Sequence, residues 1–297
     1  MYSGIAKKDM IISKAKWRYK MKCFICYNNM NNYFQKTMVM NHHSINCQYV
    51  KCNNCGLVIN KTYYEMGDEE RSIINSECHE YQGSESNIVD PKWLDRLQRQ
   101  AQLFAKLFEL GFFTENMQVV DYGCGDAKFS NYVKKICGID WVKNYDKYMV
   151  TNTYLSSYNM TSIKFDVVVT CSVFEHLIGM KDIDEIMSYL KDDGILCLHT
   201  LICEAVPNDP QWFYLLPPHC TLWTNKAMSI LFEKYKFVSC AYSPTAKMWF
   251  FIRSRRKQNL LENLKKSFDE KELLIDDRFI EYWKISPYRN NSNDKSR

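Results

Sequence analysis

A chain of 297 residues that is 46% hydrophobic and 14% aromatic can bury one ordinary domain and a small additional module, which excludes a disordered chain. The 39 lysine and arginine residues outnumber the 34 aspartate and glutamate residues only slightly, and their spread along the chain does not single out a nucleic-acid-binding stripe. No apolar run approaches the roughly 20 residues that a membrane-spanning helix requires.

The cysteines indicate the redox environment. There are thirteen, an odd number, and several lie inside apolar, strand-like runs such as ILCLHT. We recognise no secretory signal, so a disulfide framework is not expected. A reducing, cytoplasmic location is the prediction.

Residues 1–20 are left unassigned, and a cysteine-rich head follows at residues 21–60. Two C-x2-C pairs supply four thiolates, which suit a closed, tetrahedral, structural zinc site without catalytic chemistry. Such a metal would stabilise a head with little core of its own. The four predicted ligands are Cys23, Cys26, Cys52 and Cys55. The other metal-binding side chains between the pairs, interpreted as bystanders or substitute ligands, are His42, His43 and Cys47.

Residues 61–90 are polar, rich in Tyr and Glu, and show little periodicity, which predicts a connector or cap. One helix is then predicted from DPKWLDRLQRQAQLFAKLFELG. Asp90 can cap it, Pro91 suits the first helical position, and Gly111 can end it in a left-handed turn.

Strand and helix patterns alternate from residue 91 to residue 252. Short connections between alternating strands and helices predict an α/β domain with a parallel sheet between helices. The tail at residues 253–297 contains one more charged helix, RKQNLLENLKKSF.

The stretch VVDYGCGDAKF predicts a binding crevice. A strand ending at Asp121, a turn through Gly123 and Gly125 and a helix starting near Lys128 would place backbone amides at the carboxyl edge of the sheet. The dinucleotide motif G-x-G-x-x-G requires a third glycine where Lys128 stands, which disfavours NAD and FAD.

An acidic residue about 20 residues further on would bind ribose hydroxyls in such a crevice. Asp146 is preferred because it ends the strand VKNYDKY. Asp140 is the alternative, but it follows Gly138 in the turn before that strand.

These motifs carry a family resemblance. VVDYGCGDAKF, NYDKY and FDVVVTCSVFEHL resemble the nucleotide-binding, ribose-binding and fourth-strand motifs of class I S-adenosylmethionine-dependent methyltransferases. PPHCTLWTNKAMSILFEKYKF is similar to the His-then-helix segment of the branch that modifies small molecules and sugars. With the zinc-type head, residues 21–252 resemble bacterial methyltransferases encoded beside genes for capsule and surface polysaccharide, including those linked to methylated phosphoramidate decorations.

The resemblance implies a Rossmann-like, mostly parallel seven-stranded sheet with helices on both faces over residues 91–252, and S-adenosylmethionine as cofactor. The implied cofactor residues are Asp121, Gly123 and Gly125 at the methionine end, Asp146 at the ribose, and Cys171 and Ser172 at the reactive centre. The family's aspartate for adenine is missing from VTNTYLSSYNMTS, where Asn159 is the candidate replacement.

Methyl transfer from a sulfonium requires alignment above all, and a hydroxyl acceptor benefits from a general base. His219 is a candidate because it lies in a long aromatic segment positioned to cover the acceptor. Fixing that loop by hydrogen bonds is its alternative role. Glu175 and His176, in the EHL step after the fourth strand, are further candidates, and capping and packing at the next turn is the alternative interpretation.

The aromatic run Trp212, Phe213 and Tyr214 could stack on an acceptor or simply plug the sheet.

The leading hypothesis is an O-methyltransferase, in enzyme class 2.1.1, whose acceptor is a carbohydrate, a nucleotide sugar or a phosphorylated capsule-glycan precursor. An RNA methyltransferase whose head grips nucleic acid is the first alternative, disfavoured by the weak net charge. A non-catalytic partner with a methyltransferase fold is the second, disfavoured by the intact glycine turn.

Overall fold

A computed structural model describes residues 21–39, 44–83, 91–149, 151–269 and 271–281. Among the predictions above, the unassigned residues 1–20, the candidate ligands His42 and His43, and the cap Asp90 lie outside the described residues.

The head is built from antiparallel strands. Strands β1 (Met30–Val39) and β2 (Ser44–Cys52) form a hairpin, and β3 (Val58–Asn60) pairs with β2. The polar connector then forms two helices, α1 (Lys61–Glu65) and α2 (Asp68–Gly83), instead of an irregular linker. Asn60 caps α1 by accepting a hydrogen bond from the Tyr63 amide.

The remaining elements follow in alternation, largely as the sequence pattern predicts. In chain order they are α3 (Pro91–Glu109), β4 (Val119–Tyr122), α4 (Lys128–Cys137), β5 (Val142–Tyr145), α5 (Ser157–Ser162), β6 (Phe165–Cys171), α6 (Met180–Tyr189), β7 (Leu190–His199), β8 (Ile202–Cys203), β9 (Thr221–Thr224), α7 (Asn225–Lys234), β10 (Ser239–Ser243), β11 (Met248–Ile252), α8 (Arg255–Leu264) and β12 (Leu274–Asp276).

Seven of these strands form one sheet in the order β12-β10-β11-β7-β6-β4-β5. The strands β5, β4, β6 and β7 are parallel to one another, whereas β11, β10 and β12 join antiparallel. The predicted Rossmann-like sheet is therefore confirmed. The segment before β6 forms α5, so β5 is the edge of the sheet.

Helices cover both faces, because successive strand residues point to opposite sides. Val119 packs in a core with residues of α3, α4 and α8, whereas the adjacent Val120 packs in a core with residues of α6 and α7. Nearly continuous apolar strands are expected of a parallel sheet buried on both faces.

A second sheet joins the head to the rest of the chain, in the order β1-β2-β3-β9-β8. Strand β9 runs antiparallel to β3, with Val58 opposite Leu222 and Ile59 opposite Thr221. The head therefore shares its sheet with β8 and β9, which follow β7 in the chain. Among the helices described, none is both long and apolar enough to cross a membrane.

Candidate active site

The four predicted metal ligands of the head converge. Sγ of Cys23 lies 3.6 Å from Sγ of Cys55, and Sγ of Cys26 lies 3.4 Å from Sγ of Cys52. All four sulfur atoms lie within 4.8 Å of one another. Gly56 turns the chain after the second pair with φ +75°. Four sulfur ligands at these separations have the donor set and spacing of a structural zinc site.

Cys47 lies apart from that cluster. It is buried in β2, in a core that also contains Tyr49 and Leu222, and burial raises the pKa of its thiol. This environment agrees with its interpretation as a bystander.

The two glycines of the β4–α4 turn have different surroundings. Gly123 has φ +72°, and a Cβ there would lie 2.7 Å from Cγ2 of Val173. Gly125 has φ +54°, and a Cβ there would meet no atom within 4 Å. Both conformations favour glycine. The first glycine thus permits close packing of the protein on itself, and the second leaves open space where a ligand can approach the backbone.

Asp146 lies directly against this turn. Its Oδ2 accepts a hydrogen bond from the Gly125 amide at 2.9 Å, and its Oδ1 accepts from the amides of Tyr148 at 2.8 Å and Met149 at 2.9 Å. A carboxylate offers about four acceptor positions, so one remains for a ligand hydroxyl.

Asp140, the alternative acid, is exposed and pairs with Nζ of Lys134 at 2.7 Å. Its position therefore disfavours it, and the ribose contact of Asp146 stays a prediction.

Asp121 is buried at the base of the same turn. Burial, and secondarily the nearby Asp146, raise the pKa of its carboxyl group to about 7. A positively charged ligand placed beside it would stabilise the ionised form.

The end of β6 also borders the crevice. Ser172 adopts φ +58°, a conformation whose cost is commonly retained at functional sites. The Cys171 thiol donates to Oε1 of Gln100 at 3.4 Å. Gln100 is fully buried, and its Nε2 lacks a hydrogen-bond partner among the described residues. An orphaned donor beside the crevice is compatible with a bound ligand.

The sequence analysis did not identify two further residues at this edge of the sheet. Nη2 of Arg96, on α3, donates to Oγ of Ser172 at 3.0 Å, and Nη1 contacts Nε2 of His199. Nδ1 of His199 lies 2.6 Å from the carbonyl oxygen of Lys247, to which it must donate. Burial, assisted by Arg96, lowers the pKa of His199 to about 3, so the ring is neutral and its Nε2 accepts from Arg96.

The three predicted catalytic side chains form one cluster. Glu175, His176 and His219 each place a ligand atom within 4.8 Å of the others. Glu175 and His176 belong to a 3-10 turn that follows β6, and the ring centroids of His176 and His219 are 5.2 Å apart. The Tyr214 hydroxyl donates to Oε1 of Glu175 at 3.0 Å. The structure therefore brings the three candidates together beside the end of β6, and their catalytic roles stay predictions.

Hydrogen bonding fixes the orientation of His219. Its Nδ1 lies 2.9 Å from the carbonyl oxygen of Tyr214, which can only accept, so Nδ1 carries the proton and Nε2 carries a lone pair. Burial lowers the pKa of His219. Burial alone would raise the pKa of Glu175, but His219 and His176 lower it below its ordinary value, so the carboxyl group is ionised.

Backbone contacts explain why distant segments meet here. The Cys220 amide donates to the Glu175 carbonyl at 2.9 Å, and Nε1 of Trp223 donates to the Phe174 carbonyl at 2.8 Å. The start of β9 is thus bound to the turn after β6, which brings His219 beside Glu175.

The head holds the segment that covers this cluster. The Tyr33 hydroxyl, on β1, donates to the Val206 carbonyl at 2.7 Å, and Nζ of Lys36 donates to the Leu215 carbonyl at 3.0 Å. We call residues 204–218 the lid segment. The four-cysteine head therefore supports the lid segment over the cluster.

Asn159 is engaged elsewhere. Its Oδ1 accepts from Oγ of Ser156 at 2.6 Å, as part of the cap of α5. This contact weakens the expectation that Asn159 binds adenine.

Comparison with known protein families agrees with this geometry. Residues 93–239 match a family model described as a methyltransferase domain. This part of the chain is a methyltransferase domain. The match covers the glycine turn, Asp146 and the Glu175–His176–His219 cluster, but not the head.

Solved structures include methyltransferases with low similarity to this chain. The plantazolicin methyltransferase BpumL, in complex with SAH, is 12% identical with a TM-score of 0.38, covering 72% of this chain and 91% of its own. Magnesium protoporphyrin IX methyltransferase from Synechocystis PCC 6803, with bound SAH, is 13% identical with a TM-score of 0.42, covering 63% and 97%. Similarity at this level identifies no acceptor for this protein. No curated protein sequence matches the chain significantly.

Proposed function

We propose that the protein methylates a hydroxyl oxygen of a carbohydrate, a nucleotide sugar or a phosphorylated surface-glycan precursor. The observation that carries this proposal is the Glu175–His176–His219 cluster, because it collects groups that can act on a hydroxyl proton beside the methyltransferase crevice.

The cofactor residues of the proposal are those that line the glycine turn. Bound S-adenosylmethionine supplies the electrophilic methyl group. Gly125 leaves room for the cofactor against the backbone, Asp146 accepts from a ribose hydroxyl with its remaining acceptor position, and Asp121 faces the charged methionine end. Cys171 and Ser172, at the end of β6, border the reacting atoms.

The acceptor is held between the crevice and the lid segment. Alignment of its oxygen with the methyl carbon supplies much of the rate enhancement. The Nε2 lone pair of His219 can accept a hydroxyl proton, and the adjacent carboxylate of Glu175 stabilises the positive charge that results. Phe213 is 57% exposed in the lid segment and is available to stack on a sugar ring.

The head has a structural role in this proposal. The four thiolates bind zinc in a closed site, which holds β1 to β3 in the arrangement that supports the lid segment. A cytoplasmic location, in which the thiols stay reduced, completes the proposal.

The direct test is transfer of a radiolabelled methyl group from S-adenosylmethionine into fractionated bacterial extract, with and without nuclease. Label in a nuclease-resistant glycan or nucleotide-sugar fraction supports the proposal. Label that disappears on RNA digestion would show an RNA methyltransferase instead. We expect His219→Ala to lower the rate about 100-fold or more, whereas Glu115→Gln, at an exposed residue between α3 and β4, should leave it unaltered.

A further inference from the structure

Proton transfer by the Glu175–His176–His219 cluster does not explain why one carboxylate oxygen of Glu175 is buried without a described partner. Glu175 is only 2% exposed, and its Oε2 lacks a hydrogen-bond partner within the described residues. A buried carboxyl oxygen without a hydrogen-bond partner has lost its hydration without compensation. Such an oxygen can be satisfied by a cation or a donor that the described residues do not supply.

The neighbours of this carboxylate are metal ligands by type. One carboxylate oxygen and one nitrogen from each of two imidazoles lie within 4.8 Å of one another. Atoms that share one ion at about 2.1 Å lie roughly 3 to 3.5 Å apart. Modest side-chain rotations of Glu175, His176 and His219 would therefore bring all three onto a common ion.

The surroundings of the cluster match the outer contacts of a metal site. A metal-binding histidine usually donates its other ring nitrogen to a carbonyl or carboxylate, and a ligating carboxylate is itself hydrogen-bonded. Nδ1 of His219 donates to the Tyr214 carbonyl, and the Tyr214 hydroxyl donates to Oε1 of Glu175. One residue of the lid segment thus orients two of the three ligands.

We propose that Glu175, His176 and His219 bind a divalent transition-metal cation, separate from the zinc of the head. Three protein ligands leave coordination positions open, in contrast to the closed four-thiolate site. With the ion bound, the Nε2 lone pair of His219 is a ligand and no longer a base. The ion instead lowers the pKa of the acceptor hydroxyl that contacts it, so that this hydroxyl loses its proton to water before methyl transfer. The assignment of that open position to the acceptor rests on the proposed function, whereas cation binding itself does not.

The test measures all divalent cation held by the full chain. Purified protein is dialysed against metal-free buffer, its metal content is measured, and Mn2+ binding is then titrated by the electron paramagnetic resonance signal of free Mn2+. Mn2+ prefers oxygen and nitrogen ligands to thiolates, so the head does not compete for it. The variants are Glu175→Gln and His176→Ala, with Glu204→Gln as the matched control.

We expect wild-type protein and the Glu204→Gln control to hold one equivalent of cation more than Glu175→Gln and His176→Ala. Mn2+ affinity should fall at least tenfold in the latter two. Two substitutions are used because Glu175 is buried, and thermal unfolding confirms that each variant is folded. Equal cation content in all folded variants would overturn the proposal.

The same preparations separate this inference from the proposed function. Label transfer to a glycan fraction by protein that lacks the additional equivalent would reject the metal site and retain the function. A bound equivalent without label in any glycan or sugar fraction would retain the metal site and reject the acceptor class.

Discussion

The carboxylate of Asp146 serves the protein before any ligand arrives. It accepts hydrogen bonds from the amides of Gly125, Tyr148 and Met149, which shapes the glycine turn and the segment after β5. Its one remaining acceptor position is the basis of the proposed ribose contact.

Asp146→Ala should therefore weaken binding of S-adenosylhomocysteine about 10- to 100-fold, the range for losing a hydrogen bond to a charged group. Isothermal titration calorimetry measures the affinity. Asp140→Ala is the matched control, because Asp140 is exposed and pairs only with Lys134 among the described residues. A larger loss of affinity in Asp140→Ala than in Asp146→Ala would show that Asp140, and not Asp146, contacts the ribose.

We expect Asp121 to make the affinity for the cofactor depend on pH. Its pKa of about 7 in the free protein is raised by burial and by Asp146. A cationic ligand favours the ionised form, so binding requires loss of a proton below pH 7. Affinity for S-adenosylmethionine should then be constant above pH 7 and fall below it, by at most about tenfold per pH unit.

The control is Asp121→Asn, which cannot ionise. Between pH 5.5 and 8.5, the affinity of this variant for S-adenosylmethionine should change little with pH. The affinity of the wild type for S-adenosylhomocysteine, whose sulfur is neutral, should depend on pH less than its affinity for S-adenosylmethionine. The same pH profile in Asp121→Asn and wild type would assign the effect to another group.

Residues adjacent in a motif could be predicted, and residues brought together by the fold could not. Asp146 follows a recognisable strand at a recognisable distance from the turn. Arg96 and His199 are 103 positions apart, and each looks ordinary in its own segment. Only the packing of α3 across the ends of β6 and β7 brings them into contact.

The β4–α4 turn gives a prediction at the scale of one element. Gly123→Ala combines a positive φ with a Cβ only 2.7 Å from Val173, so it should lower the free energy of unfolding by about 1 to 3 kcal/mol. Gly125→Ala meets no protein atom and should cost about 1 to 2 kcal/mol from backbone strain alone. Its methyl group points into the space assigned to the cofactor.

Thermal unfolding and titration with S-adenosylhomocysteine separate the two effects. Gly125→Ala should lose more affinity than stability, and Gly123→Ala the reverse. Gly138→Ala at the end of α4 is the control for backbone strain, since it has φ +75° with open space around it. Equal affinity in Gly125→Ala and Gly138→Ala would show that the cofactor does not approach Gly125.

Periodicity explains which elements the sequence predicts. Helix α3 has a clear apolar face and is correctly predicted, with Gly111 ending it at φ +77°. Helix α2 is polar, and Ile74 is the one buried residue among its described side chains, so its segment has the composition of a linker although it is helical. Strand β12 has only three residues, which is too short for an alternating pattern.

At the scale of the whole molecule, the head and the methyltransferase part share a sheet through β3 and β9. The sequence predicts the head from its cysteine spacing and the other part from its alternating elements, but neither signal reports pairing between segments about 160 residues apart. This long-range pairing helps to place His219 beside Glu175, since His219 lies two residues before the start of β9.

Loosening the head from the lid segment should affect the acceptor and not the cofactor. Tyr33→Phe removes the hydrogen bond to the Val206 carbonyl, which contributes about 1 kcal/mol. We expect about a fivefold higher KM for the acceptor with unchanged affinity for S-adenosylhomocysteine. Tyr27→Phe, at a 68% exposed residue of the head, is the matched control. An equal change in both affinities would mean that Tyr33 stabilises the whole domain.

Removal of the zinc proposed for the head would test the shared sheet as a unit. Cys26→Ser should abolish zinc binding at the head and expose the amides of β9, because β9 pairs with β3 next to the cysteine cluster. Hydrogen exchange followed by mass spectrometry measures that exposure. Affinity for S-adenosylhomocysteine should persist, since β4 and β5 belong to the other sheet. Cys137→Ser, on α4 outside the cluster, controls for loss of a thiol. Unchanged protection of β9 after metal loss would show that β9 is held in place by β8, α7 and the turn after β6 without the head.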